Sequence, residues 1–138
     1  MQDSVNEALQ RLKAMPPKPI AAKIVGMRDQ TADRRVSYKE LWEALVTVPW
    51  TGDASRTAIS KKLSEVIKFS ARNKLPILTA LVVRHGPPRD WSEEAIVSIC
   101  EEAKMLDFSV GRVPRAFVEQ QAKKSEKITL ADIERAVE

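Results

Sequence analysis

The sequence has 138 residues, of which 43 % are hydrophobic and 5 % aromatic, and its 23 basic and 19 acidic residues give a formal net charge of +4. This length is typical of one domain and excludes a large multidomain enzyme. No apolar run approaches the roughly 20 residues that span a bilayer, and one cysteine with one histidine excludes an internal disulfide framework and a standard four-ligand zinc site. The N-terminal residues MQDSVNEALQRLK lack the apolar core of a signal peptide, so we expect a cytoplasmic protein without a membrane partner.

Charge is distributed unevenly along the chain. Residues 1–90 contain 16 Lys and Arg and 9 Asp and Glu, whereas residues 91–138 contain 7 and 10. This asymmetry predicts a basic module over 1–90 that meets an anion, with a helical part over 91–138 packed on it as one compact domain. Ordinary helices with unequally charged solvated faces would give the same counts, and that alternative stays open.

The first third of the chain predicts helices separated by prolines. A helix is predicted over 4–14, with Ser4 as its N-cap, and the prolines at 16, 17 and 19 end it. Residues 20–27 form an apolar stretch that we interpret as a possible short strand, followed by a polar loop over 28–35. Ser37 and Glu40 form a capping box that predicts the start of the next helix.

The longest predicted helix spans about 55–74, with Asp53 or Ser55 as its cap, and ends near Asn73 because Pro76 disfavours helix before it. The continuous run at 77–83, rich in β-branched residues, is interpreted as a buried strand, although periodicity alone does not separate so short a run from a buried helix. Three further helices are predicted to begin at Ser92, Pro114 and Thr129. The side chains predicted to face the core on these four helices are Ile59, Leu63, Val66, Ile67, Ile96, Ile99, Cys100, Ala103, Leu106, Phe117, Val118, Gln121, Leu130, Ile133 and Val137.

Few residues offer enzyme chemistry. His85 lies in a Gly/Pro turn, where a solvated loop histidine is more common than a proton carrier. Cys100 lies on the apolar face of a helix, where burial disfavours the thiolate, so we interpret it as a packing residue. The four glycines form no phosphate-binding motif. We therefore predict a protein that is not an enzyme and has no cofactor.

The longest helix predicts a basic face. At about 100° per residue, Lys61, Lys68 and Arg72 fall opposite the apolar face, and Thr57 and Lys62 flank them. A basic helix that follows a helix and a turn is typical of the recognition helix in helix-turn-helix and winged-helix domains.

An alternative interpretation of the same face is a ladder of salt bridges. Glu65 lies four residues after Lys61 and three before Lys68, which is the spacing of an intrahelical ion-pair ladder of small energetic consequence. The spacing alone does not separate this ladder from a binding surface.

Three sequence motifs resemble those of one protein family. The segments VSYKEL at 36–41, ASR at 54–56 and NKLPIL at 73–78 look like the winged-helix DNA-binding domain of O6-alkylguanine alkyltransferases and alkyltransferase-like proteins. This resemblance, over about residues 36–85, implies a DNA-facing helix and implies that Arg56 enters the duplex. Where the family has Pro-Cys-His-Arg, this chain has Thr-Ala-Leu-Val-Val-Arg-His, so alkyl transfer is not implied.

In a winged-helix arrangement Arg84 would lie at the wing and contact the DNA backbone or the minor groove. A wing needs a returning strand, whereas the residues after 90 lead directly into a helix, so the wing is predicted to be short or absent. The fold class is therefore mainly α, with a winged-helix or helix-turn-helix-like module that has one or two short strands and is followed by a helical C-terminal part.

The predicted function is that of a small, non-enzymatic DNA-binding protein of the regulatory type. The predicted DNA contacts are Arg56, Thr57, Lys61, Lys62, Lys68, Arg72 and Arg84. A homodimer or a protein partner is predicted to bind through residues 92–138. The alternative function is a protein-interaction module, such as an adaptor, an antitoxin-like protein or an inhibitor, that uses Trp50, Trp91 and the acidic C-terminal helices.

Overall fold

Seven α-helices and one two-stranded sheet form the regular structure in a computed structural model, which describes residues 2–138, with side chains from residue 5 onward. The predicted mainly helical class with one or two short strands is confirmed. No helix in the described range is long and apolar enough to cross a bilayer. The helices are α1 (Gln2–Ala14), α2 (Pro17–Arg28), α3 (Tyr38–Leu45), α4 (Asp53–Arg72), α5 (Glu93–Met105), α6 (Pro114–Ser125) and α7 (Leu130–Arg135).

Several helices begin at the predicted caps. The Ser37 hydroxyl accepts the Glu40 backbone N–H at 3.0 Å, and the Glu40 carboxylate accepts the Ser37 N–H at 2.8 Å, which completes the capping box. The Ser92 hydroxyl accepts the Ala95 N–H at the start of α5, and Thr129 forms a second capping box with Asp132 at the start of α7. The predicted capping role of the Ser4 side chain lies outside the described side chains.

The start of α4 differs from the prediction. The N-cap is Gly52 rather than Asp53 or Ser55, and Gly52 has φ +68°, a conformation that other residues rarely adopt. The Ser55 hydroxyl instead accepts the backbone N–H of Thr51 at 2.9 Å, which fixes the preceding turn.

The prediction of a short strand over 20–27 is wrong, because this segment belongs to α2. Pro17 occupies the first turn, where its missing N–H has no intrahelical partner to lose. The buried residues Ile20, Ala21, Ile24 and Val25 recur with helical spacing. Arg28, predicted to begin a loop, is instead the last residue of this helix and is buried.

The buried run 77–83 is only partly extended. It contains a 3₁₀ turn at Leu78–Leu81 and then the strand β2 (Val82–Val83), which pairs in parallel with β1 (Val36–Ser37). A parallel pair requires a long crossover, and α3 and α4 supply it. After β2, the Arg84 N–H donates to the Asp90 carbonyl at 2.9 Å and closes a loop. No returning strand follows within residues 2–138, so a wing of the usual two-stranded form is absent from this range.

Two apolar clusters share α4 and the 3₁₀ turn. One lies among α1, α2, α3 and α4, and the other lies among the 3₁₀ turn, α5 and α6. Ile133 of α7 belongs to the first cluster, so the end of the chain returns to α2. Leu130 and Val137 were predicted to face the core but are exposed. Helix α7 ends at Arg135, and its single inward position is occupied by Ile133.

Arg28 joins α2 to the end of α6 through buried polar contacts. Its Nη1 donates to the carbonyls of Ser125 at 2.8 Å and Ile128 at 2.6 Å, and its Nη2 pairs with Asp29 at 2.8 Å. The residue is only 3 % exposed. The last carbonyls of a helix have no intrahelical donor, and a cation suits them because the helix dipole is negative there.

Lys18 makes the same kind of contact at the end of α7. Its Nζ donates to the carbonyls of Glu134 at 2.9 Å and Ala136 at 2.7 Å. The Lys18 backbone N–H also donates to the Glu138 carboxylate at 3.0 Å. Helix α2 therefore holds the C-terminal ends of two later helices.

We expect Arg28→Met to lower the free energy of unfolding by about 2–4 kcal/mol, because two buried carbonyls lose their donor while the aliphatic volume is kept. Urea unfolding followed by circular dichroism measures the change. Lys23→Met, at an exposed position of the same helix, is the control and should change stability by about 0.5 kcal/mol or less. Equal effects of the two substitutions would contradict the capping role of Arg28.

Candidate nucleic-acid interface

Helix α4 carries a basic face that is open to solvent. Lys61, Lys68 and Arg72 are exposed, whereas Ile59 and Val66 on the opposite side are buried. Eleven residues separate Lys61 from Arg72, which corresponds to about 16 Å along a helix. The sequence prediction of this face is consistent with the observed burial of its opposite side.

Glu65 does not join these cations in a ladder. Its carboxylate lies 3.2 Å from the Lys62 Nζ. Among the side chains of residues 5–138, no carboxylate lies within 4.0 Å of the charged groups of Lys61, Lys68 or Arg72. The three cations therefore keep their charges available to a partner.

Lys62 lies outside the exposed face, although it was predicted as a DNA contact. Its side chain is buried, with the whole residue 4 % exposed. The Nζ donates to the carbonyls of Lys13 at 2.6 Å and Met15 at 2.9 Å, at the end of α1. Position 62 flanks the basic face on an isolated helix, but α1 packs over that flank. We therefore assign Lys62 to the joint between α1 and α4.

Arg56 and Tyr38 form the N-terminal end of the face. The Arg56 guanidinium carbon lies 5.8 Å from the centre of the Tyr38 ring, within the range of a cation–π contact. Its Nη2 lies 3.2 Å from a carboxylate oxygen of Glu94 in the first turn of α5. Burial raises the pKa of the Tyr38 hydroxyl, so this group remains a neutral hydrogen-bonding group at physiological pH. Thr57 is exposed beside Arg56.

An open groove of about 680 Å³ follows this side of α4. The hydroxyls of Thr57, Ser60 and Ser64 line it between the cations, and Thr57 and Ser64 are seven residues apart, so they share one helix face. The Ser64 hydroxyl already donates to the Glu102 carboxylate. The hydroxyls of Thr57 and Ser60 beside the cations are donors that suit phosphate oxygens and base edges. Ser60 and Ser64 were not among the predicted contacts. They lie three and seven residues after Thr57, a spacing that indicates the same helix face. The lining residues are Asp53, Arg56, Thr57, Ser60, Lys61, Ser64, Glu65, Lys68 and Glu94.

Arg84 is exposed at the carboxyl end of the small sheet. It directly follows β2, as Tyr38 directly follows β1, and the two strands are parallel with Ser37 opposite Val83. The chain therefore leaves both strands at the same end of the sheet, through Tyr38 and Arg84. Arg84 is thus a backbone neighbour of Tyr38, whose ring contacts Arg56 of α4.

Of the two candidate catalytic residues, His85 is exposed beside a capping hydroxyl and Cys100 is buried in the core. The His85 Nδ1 lies 3.0 Å from the Ser37 hydroxyl, which already caps α3. Cys100 is buried between α5 and α6 as predicted, and burial raises the pKa of its thiol. Among the described residues, His, Cys, Asp and Glu side chains form no group of three that could hold a metal ion.

The two tryptophans of the alternative interface are packed locally. Trp50 meets Trp42 edge to face, with ring centres 6.2 Å apart. The Trp91 Nε1 donates to the Ala80 carbonyl at 2.7 Å. The guanidinium of Arg35 lies 5.9 Å from the centre of the Trp91 ring. Both residues are half-buried, so each keeps part of its surface exposed beside these contacts.

Arg89 connects the loop after β2 to the start of α3. Its Nε lies 2.8 Å from Asp33, its Nη1 lies 3.1 Å from Glu40, and its Nη2 donates to the Arg35 carbonyl at 2.9 Å. The hydrogen bond from Arg89 lowers the pKa of Asp33. Partial burial alone would raise the pKa of Glu40, but hydrogen bonds from Ser37 and Arg89 outweigh it and lower that pKa.

Comparison of the chain with protein-family models, with curated proteins and with solved structures finds no match.

We expect Arg89→Ala to lower the free energy of unfolding at neutral pH, and the difference from the unsubstituted protein to shrink as the pH falls below about 4. The folded-state pKa values of Asp33 and Glu40 are lowered. Their stabilisation is thus complete above the unfolded-state pKa values and is lost as the pH falls through the folded-state values. Urea unfolding over this pH range measures the difference.

Arg112 is the control for this measurement, because its side chain is exposed and has no ion pair among the described residues. Arg112→Ala should have a small effect at every pH. An Arg89→Ala difference that stays constant between neutral pH and about pH 3 would exclude the proposed linkage to the two carboxylates.

Proposed function

We propose that this chain is a non-enzymatic protein of the regulatory type that binds duplex DNA with α4 in a winged-helix or helix-turn-helix-like manner. One observation carries the proposal: Lys61, Lys68 and Arg72 are exposed along one face, while the nearby Glu65 pairs with the buried Lys62. Exposed cations without carboxylate partners can neutralise phosphates and release the counterions bound to DNA, which is the main source of affinity in such complexes.

The order of elements supports α4 as the helix that enters the groove. Helix α3, a connection and α4 follow one another as in helix-turn-helix proteins, in which the second helix lies in the major groove. The connection over 46–52 is longer than the three- or four-residue turn of that motif. We therefore propose an arrangement related to the helix-turn-helix motif, in which the long α4 supplies most of the contacts with DNA.

The N-terminal end of α4 supports a role in reading bases. Recognition helices contact base edges with their first residues, and Arg56 and Thr57 occupy that position. A guanidinium can donate two parallel hydrogen bonds to guanine, and a threonine can contact either a base edge or a phosphate. Arg84, at the adjoining sheet edge, is proposed to contact the backbone.

A contact through α5 is a second proposal for residues 92–138. Val97 and Met105 are 49 % and 81 % exposed, and Glu101 lies between them on the same face. Exposed apolar side chains on one helix face favour a protein contact. This surface would serve a homodimer or another protein partner and leaves the basic face of α4 free.

We expect replacement of Lys61, Lys68 and Arg72 by alanine to weaken duplex binding at least tenfold at low salt and to flatten its salt dependence. Each lost phosphate contact reduces the slope of log K against log salt by about 0.9. Fluorescence anisotropy with a labelled duplex of mixed sequence, titrated at about 50 to 300 mM NaCl, measures both quantities.

The matched control replaces Lys123, Lys124 and Lys127, which are exposed on α6 and the following turn. It removes the same charge, so it should alter the affinity by less than about threefold. No binding by the unsubstituted protein at low salt, or equal effects of the two triple variants, would rule out the proposed surface.

Lys62 gives a test that separates stability from binding. We expect Lys62→Met to lower the free energy of unfolding by about 1–3 kcal/mol, because the carbonyls at the end of α1 lose their donor. Duplex affinity should stay within about twofold at a temperature where the variant is folded, since the ammonium does not reach the face. If Lys62→Met instead reduces the slope of log K against log salt by about 0.9, Lys62 contacts a DNA phosphate.

A further inference from the structure

Arg56 differs from the other exposed cations of α4. Among the described side chains it alone of that group has a carboxylate partner, Glu94, at 3.2 Å. Lys61, Lys68 and Arg72 have none. The residue best placed to contact a base is therefore the one that is already occupied in the free protein.

Glu94 reaches Arg56 from a separate helix. It lies in the first turn of α5, which begins at the Ser92 cap, and its carboxylate lines the groove along α4. The Glu94 side chain is 85 % exposed and the Arg56 side chain 40 %. An ion pair this exposed is weak in water, so another anion can displace the carboxylate.

Tyr38 also contacts the guanidinium of Arg56. The ring centre lies 5.8 Å from the guanidinium carbon, and the Arg56 Nη2 also lies 3.4 Å from the Ser92 hydroxyl. The Tyr38 ring supports Arg56 independently of Glu94, because α3 rather than α5 carries it. Removing the Glu94 charge therefore removes the carboxylate partner of Arg56, while the contact of the guanidinium with the Tyr38 ring stays in place.

We propose that Glu94 is a positioning residue that competes with DNA for Arg56: the carboxylate holds the guanidinium in the free protein, and a phosphate or base edge takes its place in the complex. This inference rests on the proposed function. The exchange moves no proton, because one anionic or polar acceptor replaces another on a guanidinium that stays charged. In the complex, the released Glu94 faces the DNA and opposes binding, so it lowers the affinity.

The proposal is tested with Glu94→Gln and the adjacent Glu93→Gln. Both remove one charge from the exposed first turn of α5, so both change the long-range field and the helix dipole contact alike. Of these two glutamates, only Glu94 pairs with Arg56. We expect Glu94→Gln to tighten duplex binding about five- to tenfold at low salt, and Glu93→Gln less than about twofold.

The salt dependence and the Arg56→Ala background give two further measurements. Arg56 contacts the DNA in the complexes of both proteins, so Glu94→Gln should raise the affinity and leave the slope of log K against log salt nearly unchanged. A slope steeper by about 0.9 would mean that Arg56 reaches the DNA only in the variant, and would overturn the exchange. In the Arg56→Ala background, Glu94→Gln should have no larger effect than Glu93→Gln. Thermal unfolding of each variant confirms that the comparison is made on folded protein.

The possible outcomes separate the two proposals. Equal gains from Glu94→Gln and Glu93→Gln, or a Glu94→Gln gain that persists with Arg56→Ala, overturn the competition while leaving DNA binding in place. Failure of the unsubstituted protein and of Glu94→Gln to bind duplex DNA at low salt overturns both the proposed function and this inference.

Discussion

The carbonyls at the ends of α-helices must find donors, and in this chain cations from distant helices supply them. Lys18 and Arg28 of α2 donate to the ends of α7 and α6, and Lys62 of α4 donates to the end of α1. Each contact joins two helices that are far apart in the sequence. A hydrophobic core alone is non-directional, whereas these contacts fix which helix end meets which helix.

This constraint changes what the charge distribution means. The basic excess over 1–90 and the acidic excess over 91–138 predicted a surface for an external anion, but some of these charges pair with each other within the protein. Arg34 and Arg35 both pair with Glu126 at the end of α6, beside the buried Arg28. The charge counts therefore describe two parts of one fold that attract each other. What remains for a partner is the smaller set of cations that the fold does not use, and those on α4 share one face.

Local signals in the sequence were sufficient where neighbours decide the structure. Ser37, Ser92 and Thr129 were recognised as caps because each acts on backbone N–H groups within three residues. The start of α2 was missed because prolines at 16, 17 and 19 indicate a break as readily as a first helical turn. The contact of Arg56 with Glu94 had no signal at all, because 38 residues separate them and only the packing of α5 beside α4 brings them together.

Lys61 and Lys62 show why the site cannot be read from composition. They are adjacent and chemically identical, yet they lie about 100° apart around α4. Helix α4 packs against α1, α2, α3, α5 and the 3₁₀ turn, so only a narrow strip of its surface stays open. Lys61 falls on that strip and Lys62 falls beneath α1. Because packing rather than residue type assigns the two roles, exposed substitutions on the strip can alter binding without disturbing the contacts that hold the helices together.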